Sequence, residues 1–327
     1  MFGSRIAMGA VVALALGTMT VPTSFAAGAG ETVKPMEHCD RACLYGFLDK
    51  YLQALRHKDP SRLPLAQNVR FSENSVELQI GDGLWNTIGR MGKYDLRLAD
   101  PKTGNVGWYG VVYEHGNPAV MAMRIKVQNG LMTEIETLVA PREEGKPFPN
   151  PDPEKLKENP IWDEVVPPEH RVPRARMIDL ADGYFSTLQL NDGKIFTQFD
   201  PKCNRTENGV KTTNNPKMVL GGNSKLASLG CEGQFKLGAF RYDDRLRARR
   251  FPLVDEEHGI VMAGGFIDHS GRLAEIRLTD GTMKKSSYKS PHSYCLFEIF
   301  KIVDGKIRQV EAVFPTVTYG IPTPWKK

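Results

Sequence analysis

The chain has 327 residues, 41% hydrophobic and 25% charged, with 31 Gly and 22 Pro. That length allows two domains at roughly 100–200 residues each, and the composition excludes a disordered chain or a fibre. A mean hydropathy of −0.36 excludes a polytopic membrane protein; a net charge of +5, from 43 basic and 38 acidic residues, lacks the basic footprint of a nucleic-acid binder.

The first predicted element is a signal peptide, residues 1–26. Arg5 supplies its positive start, Ile6–Val21 its apolar run, and Ser24-Phe25-Ala26 the small residues that a peptidase reads. Cleavage is expected after Ala26, with Ala29 as the second choice. The apolar run is shorter than the roughly 20 residues of a spanning helix. A secreted or periplasmic chain with no stable membrane insertion is therefore expected, and losing Arg5 leaves a net charge of +4.

Five cysteines agree with an oxidising compartment. Cys203 and Cys231, both in Gly- and Asn-rich sequence, are the expected disulfide. Cys39 and Cys43 can bridge only if Cys39 lies outside regular helix. Cys295, inside an apolar strand, reads as a buried free thiol. The spacings fit no zinc site, and no metal is expected. One glycosylation sequon, Asn204-Arg205-Thr206, is present.

The chain then repeats itself. Leu44, Phe47, Leu48, Tyr51, Leu52 and Leu55 form one helical stripe, and Met177, Leu180, Ala181, Tyr184, Phe185 and Leu188 repeat it 133 residues later. Phe71-Ser72-Glu73-Asn74 corresponds to Arg205-Thr206-Glu207-Asn208. The strands Val106–Tyr113 and Ile260–Ile267 correspond, ending at Glu114-His115-Gly116 and Asp268-His269-Ser270-Gly271. Each half closes with a hairpin, turning at Asn129-Gly130 and at Asp304-Gly305, pairs suited to type I′ turns. Between the halves, residues 141–173 hold nine of the 22 prolines and read as a semi-rigid linker.

Each half thus reads as a helix, irregular polar segments, then three or four antiparallel strands, an α+β arrangement with the sheet curled around the helix. Helix, Glu-Asn segment, curled sheet and final hairpin together resemble the nuclear transport factor 2-like superfamily, which includes SnoaL-like cyclases, steroid delta-isomerase and scytalone dehydratase. More narrowly, the stretches CNRTENGVKTTNNP, RARRFPLVDEEHGIVMAGGFIDHSG and VEAVFPTVTYGIPTPW resemble a secreted two-copy family of bacteria and fungi, known chiefly as a domain of unknown function. The resemblance implies two cone-shaped domains, residues 38–140 and 174–327, with an apolar pocket at the wide end of a cone. It implies no single reaction.

Residue chemistry narrows the candidates. On the strand Cys295–Ile302, Glu298 shares a face with Leu296, Phe300 and Ile302, where the first half has Met123. A carboxyl in an apolar row is a candidate general acid or base, or else an ion-paired structural Glu. His269 is a candidate proton carrier, with Asp268 to orient its ring; His115 is its first-half counterpart. Tyr184 is the candidate carbonyl polariser, and Tyr51 its counterpart. Arg205, Asn208, Glu311 and Trp85 complete the expected ligand-binding set, and Glu311 matches Glu136. Arg241, Arg245, Arg247 and Arg249 are expected to share one strand face, with Arg250 on the other.

No phosphate loop, nucleophile elbow or HExxH motif occurs, and no cofactor is expected. The favoured reading is cofactor-independent isomerisation, dehydration or lyase chemistry on a small apolar, aromatic or polycyclic molecule. A ligand carrier without catalysis and a structural intramolecular pseudo-dimer are the alternatives.

Overall fold

The amphipathic stripe of the first half forms α1 (Arg41–His57), started by Asp40, whose side chain accepts from the Cys43 N–H at 2.9 Å. Cys39 precedes the helix, and from there it bridges Cys43. The computed structural model describes residues 39–142, 152–219, 225–286 and 288–325. The predicted signal peptide lies outside the described residues, as does the 143–151 part of the linker. Among the described residues no helix is long and apolar enough to cross a membrane.

After α1 come β1 (Leu65–Glu73), β2 (Val76–Leu78), α2 (Leu84–Thr87), β3 (Ile88–Asp100), β4 (Asn105–Glu114), β5 (Asn117–Gln128) and β6 (Leu131–Pro141). They build a sheet of order β2-β1-β6-β5-β4-β3. The second half supplies α3 (Arg174–Leu190), β7 (Phe199–Glu207), β8 (Val210–Lys211), α4 (Cys231–Lys236), β9 (Arg245–Asp255), β10 (Ile260–His269), β11 (Glu275–Arg277), β12 (Met283–Lys285), β13 (His292–Val303), β14 (Lys306–Val313) and β15 (Thr316–Val317). Its main path, β8-β7-β14-β13-β10-β9, repeats the first order strand for strand, with β15 added on β13 and β11–β12 as a separate ribbon. The fold is α+β, and each half is a helix against a curled, mostly antiparallel sheet.

One local expectation is corrected. The polar segments after each helix are strands, β1 and β7, and each pairs in parallel with its half's final long strand, β6 or β14. Their sequences look irregular because alternation is broken, with partly exposed positions over most of β1 and a register shift in each pairing. The hairpin turns are as expected: Asn129, Gly130, Asp304 and Gly305 all take positive φ.

The register makes the two halves comparable residue by residue. Ser72 pairs with Glu136 and Thr206 with Glu311; Met123 pairs with Thr137 and Glu298 with Ala312. Asn74 and Asn208 play the same part in each. The Asn74 amide exchanges hydrogen bonds with Val139 (2.8 and 3.1 Å), and the Asn208 amide with Phe314 (2.8 and 3.2 Å). Both take positive φ, so the side chain replaces a ladder bond where the strand turns away.

The inner face of each sheet packs on its helix. Leu44, Leu48, Tyr51 and Leu55 meet Trp85, Trp108, Met121 and Met123 in the first half, while Met177, Leu180, Tyr184 and Phe185 meet Phe235, Val261 and Phe300 in the second. The outer faces pack on each other through an apolar layer that includes Tyr94, Tyr109, Met262, Phe266 and Phe297, with the linker's Trp162 buried in it. Polar contacts cross this layer: Arg250 binds Glu136, and the Tyr94 hydroxyl donates to Glu311 at 2.7 Å. The tail after β15 returns to the first sheet, where the Trp325 indole N–H donates to Ser72 at 2.9 Å under the guanidinium groups of Arg70 and Arg124.

Candidate functional site

The second half holds a cavity at positions where the first half carries bulky side chains. Trp108 and Met123 sit side by side on the inner face of β4 and β5; their register counterparts on β10 and β13 are Ala263 and Glu298. Phe71 of β1 is replaced by Arg205 of β7. The result is a cavity of about 80 Å³ lined by Tyr184, Arg205, Glu207, His269 and Glu298 from the sheet and helix, and by Phe240, Tyr242, Asp243 and Tyr288 from the segments between strands.

Glu298 is buried, and it lines the cavity together with Tyr184. Burial pushes its pKa up to about 8, against the opposing pull of Arg205 and Tyr184. Burial also raises the Tyr184 phenol well above its usual value. Near neutrality both groups therefore carry protons that a ligand oxygen can accept. The Arg205 guanidinium stands nearby, bound to Glu207 and to the Gln234 side chain at 3.2 Å, with its planar group over the Phe235 and Phe240 rings.

On the other wall, the His269 Nε2 lies 2.7 Å from an Asp243 carboxylate oxygen. Burial raises the Asp243 pKa, and the bond to His269 opposes that rise. The His269 ring is walled by Tyr242, Tyr288, Tyr294 and His292 with centroids 4.4–5.9 Å away. Its Nδ1 is buried without a hydrogen-bond partner. A carboxylate on Nε2 with a bare Nδ1 is an imidazole held ready to accept a proton.

Not every expected residue lies here. Asp268 does not orient His269, because neighbours on a strand project to opposite faces. It points outward, fully buried, and binds Arg245, Arg247 and Ser293 (2.6–3.2 Å). The acid that meets the His269 ring is Asp243. The arginine row is also corrected: a bulge at Ala248, with positive φ, breaks the strand. Arg245 and Arg247 face Asp268, whereas Arg249 turns to Asp182 and Ser186 of α3 and Arg250 to Glu136; Arg241, before the strand, binds the Asn191 carbonyl.

Asn208 is the strand-bridging amide described above and lines no part of the cavity. Glu311 lies on the outer face in the layer between sheets, where burial lifts its pKa to about 7. Tyr51 and Trp85 pack edge to face, 5.3 Å apart, in the filled first half. His115 sits exposed at positive φ in the β4–β5 turn. The expected Cys203–Cys231 disulfide is formed, and it ties α4 to β7; Cys295 is a buried free thiol.

Among the described residues, Asp255, Glu257 and His258 form a group of metal-ligand type. The Arg41 guanidinium already binds both carboxylates, at 2.7–3.1 Å. Sequence reasoning missed Asp243, Tyr242, Tyr288 and Gln234. Tyr242, Asp243 and Tyr288 lie in second-half segments longer than their first-half counterparts, and that extra length was the available signal; Gln234 lies in α4, which stands where the first half has the short α2.

A family described as a domain of unknown function (DUF8021) matches residues 170–314. No curated protein matches the chain. Among solved structures, an NTF2-like protein from Cytophaga hutchinsonii is similar at 12% identity over 44% of this chain and 98% of its own, with a TM-score of 0.25. A candidate ketosteroid isomerase from Kribbella flavida is similar at 16% identity over 36% of this chain and 90% of its own, TM-score 0.24. A protein of unknown function with a cystatin-like fold from Methylobium petroleophilum is similar at 12% identity over 34% and 84%, TM-score 0.29.

Proposed function

We propose that the second half is a cofactor-independent acid–base enzyme, an isomerase, dehydratase or lyase acting on a small, largely apolar carbonyl compound. The observation that carries this reading is one cavity with two proton-handling pairs, Glu298 with Tyr184 and His269 with Asp243. His269 Nδ1 removes a proton from carbon, while the Tyr184 hydroxyl and the protonated Glu298 donate to the developing oxyanion. The free volume, about 80 Å³, is less than the roughly 150 Å³ that takes a benzene ring. An aromatic or polycyclic substrate therefore enters only as the rim of Tyr242, Tyr288 and Phe314 parts.

The first half, with the same strand order and a filled interior, is read as a duplicated partner that buries the outer face of the second sheet. The whole is an intramolecular pseudo-dimer acting in a secreted or periplasmic setting. Two disulfides support that setting.

The test is to purify the chain, identify any co-purifying small molecule by mass spectrometry, and follow its conversion in D2O. Wild type is expected to turn it over with deuterium incorporated at carbon. Glu298→Gln and His269→Ala are each expected to lose roughly 100-fold or more. Binding without turnover in every variant leaves the carrier reading and removes the enzyme.

A further inference from the structure

Two connections set the second half apart. The first half runs from β2 to β3 between Leu78 and Ile88, whereas β8 reaches β9 only at Arg245, by way of α4. Likewise β4 turns into β5 at Glu114–Asn117, whereas β10 reaches β13 through the β11–β12 ribbon. These insertions bring Tyr242, Asp243 and Tyr288 to the cavity, and behind them they bury an amine, Lys284 of β12. Its Nζ donates to the Ala239 carbonyl at 2.9 Å and lies 4.7 Å over the Tyr242 ring. Only 4% of the residue is exposed, and it does not line the cavity.

A buried ammonium is costly unless a negative charge answers it. Asp243, next in the chain to the Tyr242 ring beneath the amine, is that charge: burial pushes Lys284 down to about 8 and Asp243 up, and each group opposes that shift in the other. Burial otherwise drives Asp243 toward its neutral form, and a neutral carboxyl no longer fixes which His269 nitrogen holds the proton.

We infer that Lys284 is a positioning residue whose ammonium, set behind the Tyr242 ring, keeps Asp243 ionised while His269 is neutral. The inference rests on reading His269 as the proton carrier. With Lys284 in place, His269 can release its second proton and still face a carboxylate, so Nε2 stays protonated and Nδ1 stays open. Without it, the least costly way to keep Asp243 charged is to hold His269 as imidazolium. The other groups around the ring are Tyr242, Tyr288, Tyr294 and the stacked His292, with Glu207 bearing on Asp243.

Histidine ring 15N spectra of the full chain, taken from about pH 5 to 9 and assigned with His292→Gln, test this. Lys284→Met is expected to raise the His269 midpoint by about one pH unit, and the charge-keeping Lys284→Arg to move it by less than roughly 0.3. An unmoved midpoint in Lys284→Met overturns the inference. Should that variant not fold, the reciprocal measurement decides: the Lys284 ammonium titration is expected to fall in Asp243→Asn, and an unchanged Lys284 midpoint overturns the inference. Neither readout uses turnover, so loss of the enzyme reading and loss of this one are separately visible.

Discussion

Glu298 holds in the second sheet the place that Met123 holds in the first. Each belongs to the first strand of the final hairpin, and each has its neighbour across the sheet at Ala263 or Trp108. Because Trp108 and Met123 fill the first interior, putting bulk back at Ala263 is expected to close the second. Ala263→Leu should weaken binding of the co-purifying ligand at least about tenfold while costing less than about 3 kcal/mol of stability. Calorimetric titration and chemical denaturation measure the two. Unchanged affinity would place the ligand elsewhere.

Two buried acids, Glu298 and Glu311, and the half-buried Glu73 make stability fall with rising pH. Burial lifts Glu298 to about 8 and Glu311 and Glu73 to about 7, while each returns to 4.5 on unfolding. Between those values the folded chain holds protons that the unfolded chain has released. The contribution of these three groups is therefore full below about pH 4.5 and lost toward pH 8. At the acid end Asp255 acts the other way. Burial opposes its ionisation, yet His258 and Arg41 hold it down to about 2, so its contribution is lost as pH falls below 3.8. Thermal unfolding should show a maximum at about pH 4–5. Glu298→Gln should flatten the fall above it, by on the order of a few kcal/mol at pH 8; a level wild-type profile would contradict a protonated Glu298.

Asp243 and Asp268 should separate cleanly on mutation. Asp268→Asn strips the charge from two arginines on the outer face and is expected to cost about 2–4 kcal/mol with ligand affinity unchanged. Asp243→Asn lets the His269 ring turn and is expected to reduce turnover by roughly 10- to 100-fold with affinity retained. Equal loss of turnover in both variants would remove Asp243 from its special place.

The Cys203–Cys231 bridge closes a loop of sequence separation 28 and anchors α4, whose Gln234 holds Arg205. Replacing both cysteines with serine is expected to cost roughly 2–4 kcal/mol. It should also weaken ligand binding, because Arg205 loses its fixed acceptor. Hydrogen exchange over residues 225–240 reads the loosening, and unchanged protection there would separate the bridge from the site.

Much of this was legible beforehand. The helical stripes, the two hairpins and the place of Glu298 followed from periodicity, because a buried face leaves a regular mark on sequence. The Cys203–Cys231 pair also followed. What escaped was set by tertiary context. Asp268 looked like the partner of His269 because the two are adjacent in sequence, but strand geometry sends them to opposite faces. The arginine row presumed an unbroken strand, and the bulge at Ala248 leaves no periodic signal. Asp243 reaches the cavity from an insertion with no repeat to compare it against. The Glu-Asn motif was visible twice, yet Asn208 is explained by the ladder bond it replaces and not by a ligand.

Trp325 belongs by sequence to the second half and by packing to the first, in a contact that spans 253 positions of chain. A chain emerging from its N-terminus therefore presents β1 long before the indole that covers Ser72 exists. Until then Arg70 and Arg124 lack the indole that they cover. The first sheet reaches its final packing only once the tail that carries Trp325 has been made, so its completion waits on synthesis of the other half. Contacts of such long range slow folding, and a nascent chain paused before residue 325 would display an unfinished surface to chaperones or proteases.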